Sequence, residues 1–153
     1  MANPLKMLKL KPTHFQFIQE VKVSAPPKRV WAALMKIDNW LRFQAPVKGR
    51  KATFEPWVGG RYYVQQPDGT SMLHLVVTYI EPGKLLRMSG PMGLSHLPVC
   101  NAFIFELQPK GKGTLLRFCQ RSFGYMDADV GKRYAGGWKQ LLQQIKELAE
   151  KKK

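Results

Sequence analysis

Residues 103–118 read FIFELQPKGKGTLLRF, two apolar runs on either side of a Pro-Lys-Gly-Lys-Gly separator. Glycine beside proline supplies tight-turn chemistry, and a joint this short makes the two runs antiparallel neighbours in a sheet. The charges then choose the faces. If Glu106, Arg117 and Arg121 point to solvent, alternation turns Phe103, Phe105, Leu107, Leu116, Phe118 and Gln120 to the opposite side. Arg87 in the preceding run sorts its neighbours in the same way, sending Leu86 and Met88 inward. The result is a sheet with one broad apolar face, which must be covered by something else.

Working outward, strand-like runs lie at 50–55, 60–66, 71–81, 84–90, 100–108 and 113–121. Their separators, Gly59-Gly60, Pro67-Asp68-Gly69 and Glu81-Pro82-Gly83, each carry turn residues. A first strand over 15–23 alternates Phe15, Phe17, Gln19, Val21 and Val23 on one side. Ser24-Ala25-Pro26-Pro27 stops it and starts a helix through Val30, Trp31 and Leu34, with Ser24 as a cap-competent hydroxyl. A second short helix or turn is expected around Asp38 to Phe43, before Pro46.

The cover comes from the C-terminal segment, where a long helix begins near Asp127 or Asp129. It aligns Tyr134, Trp138, Leu141, Ile145 and Leu148 on one face. Gly136-Gly137 inside that helix costs about 1 kcal/mol per glycine relative to alanine. Close approach to the sheet, or to something held against it, is the expected reason, with a kink as the alternative. The fold class is therefore α+β. A curved antiparallel sheet of about six to seven strands wraps the long C-terminal helix, and two short helices follow the first strand.

Two local readings stay open in the middle strands. Gly59-Gly60 permits a sharp bend or bulge, after which Tyr62 and Val64 share one face and Arg61, Tyr63 and Gln65 the other. Over 71–81 the inward set is either Met72, His74, Val76, Thr78 and Ile80, or Leu73, Leu75, Val77 and Tyr79. The first is preferred because it puts a polar group inside.

With 153 residues, the chain has the size of a single domain, expected at 14–148 between basic tails at 1–13 and 149–153. Lys and Arg outnumber Asp and Glu by 25 to 10, a net charge of +15. Spread along the chain, these charges read first as a solvated basic surface, with contact to nucleic acid or an anionic membrane as the weaker readings. Cys100 and Cys119 form no disulfide framework or metal-ligand spacing and are expected as buried thiols. No apolar run approaches the roughly 20 residues of a membrane-spanning helix. The opening MANPLKMLKLKP lacks the apolar core of a signal peptide, and a cytoplasmic location is the expectation.

Five segments in order resemble a known superfamily: VSAPPKRVWAAL at 23–34, FEPWVGGRY at 54–62, EPGKLLRMSG at 81–90, FIFELQPKGKGTLLRF at 103–118 and GGWKQLL at 136–142. They are similar to the helix-grip superfamily of lipid-transfer START domains, pollen-allergen-like proteins and polyketide cyclases. Within it they are most similar to the branch of the Hsp90 ATPase activator's C-terminal domain. That resemblance implies a deep cavity between the long helix and the sheet, used across the superfamily for hydrophobic or amphipathic ligands. Some members are enzymes and some are chaperone partners.

The expected occupant is a small hydrophobic or amphipathic molecule, with the net charge admitting an anionic one, bound without catalysis. The expected contact residues are Tyr62, Met72, His74, Met88, Phe103, Phe105, Phe118, Gln120, Tyr134 and Trp138. Residues 90–99, GPMGLSHLPV, form a longer connection suited to a lid, with His96 within it; His14 is expected to be exposed. Three histidines with no recognisable nucleophile, phosphate-loop or metal-ligand pattern define no catalytic constellation, and no cofactor is implied. A cyclase-like enzyme, with His74 as its acid–base group, and a chaperone-linked interaction domain are the alternatives.

Overall fold

The computed structural model describes residues 5–41 and 48–151. Its strands are β1 (Lys11–Val23), β2 (Lys51–Phe54), β3 (Arg61–Gln65), β4 (Ser71–Glu81), β5 (Leu85–Ser89), β6 (Val99–Lys110) and β7 (Gly113–Met126). Helix α1 (Pro27–Met35) and a 3-10 helix (Ile37–Asn39) follow β1, and α2 (Val130–Glu150) closes the chain. The strands form one seven-stranded sheet in the order β1-β7-β6-β5-β4-β3-β2, antiparallel at every pairing. This is the expected helix-grip architecture, with β1 and β7 each longer than their sequence patterns suggested. The end of the second expected helix, around Arg42 and Phe43, and the break at Pro46 lie outside the described residues.

Face selection by charge holds through the sheet's centre, where Leu86, Met88, Phe103, Phe105, Leu107, Leu116, Phe118 and Gln120 are all buried. On the outer face Arg117 bridges Glu20 at 2.8 Å and Glu106 at 3.2 Å, across the register that pairs these three residues. The cysteines depart from expectation: Cys100 is exposed and Cys119 half-buried, because both sit at outward positions of their strands.

Two bulges resolve the ambiguity in β4. Tyr62 pairs with Leu75 but Tyr63 pairs with Leu73, which leaves His74 as the extra residue. The side chains of His74 and Leu75 are consequently both buried, and Val77 follows them inward. A second shift between Val77 and Tyr79 leaves Thr78 and Tyr79 exposed and returns Ile80 to partial burial. Neither alternating set is correct along the whole strand, because each bulge reverses the alternation.

The chain enters α1 through proline rather than a hydroxyl. Pro26 stands at the N-cap with no side-chain cap bond, and Pro27 opens the first turn, where a missing N–H is no loss. Ser24 instead donates its backbone N–H to Glu150 Oε1 at 2.7 Å, tying the start of α1 to the end of α2. Helix α2 runs beside β1: Gln19 Nε2 donates to the Ala135 carbonyl and Lys146 Nζ to that of Lys22, both at 2.8 Å. Its buried residues are Val130, Trp138, Leu142, Ile145 and Ala149, with Tyr134, Leu141 and Leu148 half-buried. The apolar stripe is thus rotated slightly from the one expected.

The glycines divide by what surrounds them. A Cβ on Gly60 would collide with the Glu55 carbonyl and lie 2.7 Å from that of Trp57, so the Pro-Trp-Val-Gly-Gly step exists to let two backbone segments touch. At Gly136 and Gly137 an added Cβ meets nothing within 4 Å, which overturns close approach to the sheet as their reason. Gly60→Ala should lower unfolding stability by about 2 kcal/mol or more through that backbone clash. Gly136→Ala should raise it by about 0.5–1 kcal/mol through helix propensity. Urea unfolding of both variants checks the pair of opposite signs.

Candidate functional site

Trp138 fills the middle of the space between α2 and the sheet. Its ring stacks on Phe118 with centroids 4.0 Å apart, and those of Phe103 and Phe105 lie 5.7 Å away. Trp40 closes the group from the other side at 6.1 Å and donates its indole N–H to the Leu34 carbonyl at 3.1 Å. The deep cavity implied by the resemblance is therefore occupied by aromatic core along the centre of α2. Open space remains at one end, as an apolar crevice of about 300 Å³ between α2 and the loop that joins β5 to β6.

Met92 and Leu94 line the loop side of this crevice; Tyr134, Gly137, Trp138 and Leu141 line the helix side, with Arg133 at the rim. The loop is tied down at Met92, whose N–H donates to the His74 carbonyl at 3.1 Å and whose own carbonyl accepts from Tyr134 Oη at 2.9 Å. Met92 takes a left-handed conformation, φ 47°, which is uncommon without a glycine. Burial pushes the Tyr134 phenol up to about 12, so it remains protonated and can keep donating. The connection thus spans the crevice as the expected lid would, while His96 is exposed on it and outside the lining.

A chain of buried polar side chains links β6 and β7, where Gly90, Asn101 and Ser122 line a separate depression. Asn101 Nδ2 donates to the Gly90 carbonyl at 3.0 Å, Ser122 Oγ donates to Asn101 Oδ1 at 2.6 Å, and Gln120 Nε2 donates to Ser122 Oγ at 3.0 Å. Gln120 was an expected site residue; its partners were not. The same alternation that turns Phe103 and Gln120 inward also reaches Asn101 and Ser122, two positions further along each strand, and that was the available signal.

Tyr62 and His74 belong to a second polar group, and neither lines the crevice. Arg50 makes a two-pronged ion pair to Asp38 at 2.9 and 3.1 Å, and Tyr62 Oη lies 3.0 Å from Asp38 Oδ1 and 2.9 Å from the Leu41 carbonyl. Burial and the Asp38 carboxylate push the Tyr62 phenol well above its ordinary range. The His74 ring sits 5.6 Å from that of Tyr62; burial, helped by the Arg50 charge, lowers its pKa to about 4. A neutral, buried imidazole at neutral pH is the consequence.

Of the ten expected contact residues, only Tyr134 and Trp138 line the crevice. Phe103, Phe105, Phe118 and Met88 are core behind Trp138, Met72 is half-buried, and Gln120, Tyr62 and His74 belong to the polar groups just described. Larger depressions lie elsewhere: two of about 650 and 570 Å³ on the sheet, sharing Ser89, Ala102 and Arg121, and two of about 500 and 340 Å³ at Pro82 and Lys112. Among the described residues no cluster of His, Cys, Asp and Glu could hold a metal, and no helix is long and apolar enough to cross a membrane.

An open seven-stranded antiparallel sheet gripping one long C-terminal helix defines the helix-grip class. Residues 24–150 match the family described as Activator of Hsp90 ATPase homolog 1-like protein, and the chain belongs to that family. Solved structures agree on the fold. A protein from Chromobacterium violaceum superimposes with TM-score 0.68 at 24% identity, over 90% of this chain and 98% of that one. One from Rhizobium leguminosarum gives 0.72 at 18%, over 95% and 100%, and one from Mesorhizobium loti 0.62 at 26%, over 88% and 96%. No curated protein matches the sequence. Fold and family are those of ligand-binding or activator-like domains.

The depressed His74 pKa sets a pH dependence with a definite sign. Because the folded state resists protonating this ring, its contribution is complete above the unfolded value of about 6.5 and is lost as pH falls through about 4. Between pH 7.5 and 5 the wild type should therefore lose about 2 kcal/mol more stability than a His74→Leu variant, as measured by urea unfolding at each pH.

Proposed function

We propose that this protein binds a small hydrophobic or amphipathic molecule, without catalysing a reaction, at the crevice between α2 and the β5–β6 loop. The observation that carries this reading is the crevice itself. Some 300 Å³ of apolar-lined space stays open at the one end of α2 where a loop, pinned through Met92, crosses it. Such a volume suits a molecule of one ring or a short chain, and apolar walls with few polar groups are the usual composition of small-molecule sites. Arg133, 64% exposed at the rim, gives an amphipathic ligand's polar end a place to remain in water.

Gly137 supports the same reading. It lines the crevice, its missing side chain is not demanded by any neighbour, and a larger residue there would occupy the ligand's volume. The lining holds no histidine, cysteine or carboxylate among the described residues, which favours binding over acid–base or nucleophilic chemistry. His74, the acid–base group of the cyclase-like alternative, lies outside that lining.

Native mass spectrometry of unstripped protein, followed by titration with single-ring and short-chain amphiphiles, tests the proposal. A bound small molecule or saturable binding is expected, and Gly137→Leu should weaken it at least about tenfold while leaving the fold intact. Solvent-like behaviour toward every amphiphile, with nothing co-purifying, would refute the crevice as a binding site.

A further inference from the structure

Strand β1 ends the sheet, and the edge it leaves is long. It runs 13 residues in unbroken register against β7, whereas β2, at the opposite end of the sheet, has 4. The groups on that edge follow from β7. Tyr125 donates its N–H to the Pro98 carbonyl at 3.3 Å, on the β6 side, so the even-numbered residues of β7 point toward β1. Their partners in β1 are odd-numbered: Lys11 with Met126, Phe17 with Gln120, Val23 with Thr114. The even-numbered residues of β1, from Pro12 to Lys22, therefore direct their backbone groups away from the sheet, and their side chains are all exposed. Among the described residues no strand lies beyond them.

Sheet edges are ordinarily protected by shortness, bulges, charge or a covering element. The middle of this edge, Phe15-Gln16-Phe17-Ile18-Gln19, is uncharged and free of bulges, and Ile18 is 58% exposed. Helix α2 engages the inward side chains Phe15 and Gln19. Of the edge's own backbone it takes the Lys22 carbonyl, through Lys146 Nζ at 2.8 Å.

We propose that this edge docks a second copy of the chain, the two β1 strands pairing antiparallel about a two-fold axis at Phe17. The proposal is independent of the crevice. In this register the whole strand overlaps its copy, Lys11 lying against Val23, and about ten backbone hydrogen bonds join the two sheets into one. The occupied Lys22 carbonyl falls opposite Pro12, which has no N–H to offer it. A shift of two residues one way sets the His14 N–H against that carbonyl; the other way sets Pro12 against the Glu20 carbonyl and wastes an acceptor. On the outer face His14 meets Glu20 and Gln16 meets Ile18, each pair occurring twice, and no like charges stand opposite each other. The net charge of +15 on each copy opposes association, so the dimer tightens as salt rises, the reverse of binding to a polyanion.

Sedimentation velocity of the full chain between about 5 and about 500 μM should show a reversible monomer–dimer equilibrium with Kd of about 10–100 μM, as suits an edge contact of small area. Raising salt from about 0.05 to about 0.5 M should tighten it about two- to fivefold. Gln16→Pro removes an outward N–H and spares the β7 ladder; it should weaken the dimer at least about tenfold with the wild-type circular dichroism spectrum retained. The register has its own readout. In a Cys100→Ser, Cys119→Ser background, Gln16→Cys and Ile18→Cys proteins are mixed and oxidised. These positions face each other at a Cα spacing of about 5.5 Å, so the mixed disulfide should exceed either self-linked product at least about fivefold. A chain that stays monomeric to about 500 μM at the higher salt overturns the proposal, as does a dimer that Gln16→Pro leaves unchanged. Preferential self-linking of either cysteine variant overturns the pairing about Phe17. Should Gln16→Pro fail to fold, the mixed-disulfide yield decides alone.

Discussion

The stack of Trp138 on Phe118 is the contact on which the rest of this structure depends. It fixes how close α2 sits to the sheet and at what point along its length. Phe103, Phe105 and Trp40 surround it, so the contact is shared among five rings rather than held by one pair. Truncating a buried aromatic of this kind typically costs about 3–5 kcal/mol, a large part of the net stability of a domain this size. A helix held so firmly at its centre cannot also stand away from the sheet there. Open volume is displaced to where the rings stop, under Tyr134 and the β5–β6 loop, and that displacement turns a deep cavity into a crevice.

Two polar groups accompany the aromatic rings of the core. The Asp38 carboxylate gathers one group, taking the Arg50 guanidinium at 2.9 and 3.1 Å and the Tyr62 phenol at 3.0 Å, and so supplies the buried Arg50 cation with the counter-charge it needs. That arrangement closes one end of the core. The chain from Gly90 through Asn101 and Ser122 ends on Gln120, whose Oε1 has no partner among the described residues.

Most of the fold was legible because the sheet's solvent face is marked by charge. Arg87, Glu106 and Arg117 sort β5, β6 and β7 without help, and the resulting inward set is buried to the last residue. The strand that failed is the one without internal charge: β4 carries none between Ser71 and Ile80, and its two bulges each reverse the alternation. A bulge depends on the pairing partner's geometry, so period-two reading of a single strand has no means of locating it. The cysteines were misplaced for a related reason. Strand-like surroundings gave burial as the default, yet parity against Phe103 and Phe118 puts Cys100 and Cys119 on the outer face. The contact list was less legible than the fold, since ten inward residues are equally good candidates until Trp138 is seen to occupy the space that most of them face.

Surface charge and site chemistry are separate matters in this molecule. The excess of cations is carried by residues that face water, and several are already engaged: Arg117 by two carboxylates, Arg61 by Glu55, and Arg87 over the Tyr79 ring at 4.6 Å. Exposed ion pairs of this kind contribute little to stability and are screened within about 10 Å at ordinary salt. Their joint field can raise the local concentration of anionic partners, but it does not decide what fits between Leu94 and Trp138. What decides that is the apolar lining itself, built from Met92, Leu94, Tyr134, Trp138 and Leu141. Selectivity in a crevice this apolar then comes from shape, because a molecule that fits between the loop and the helix buries carbon surface on both sides.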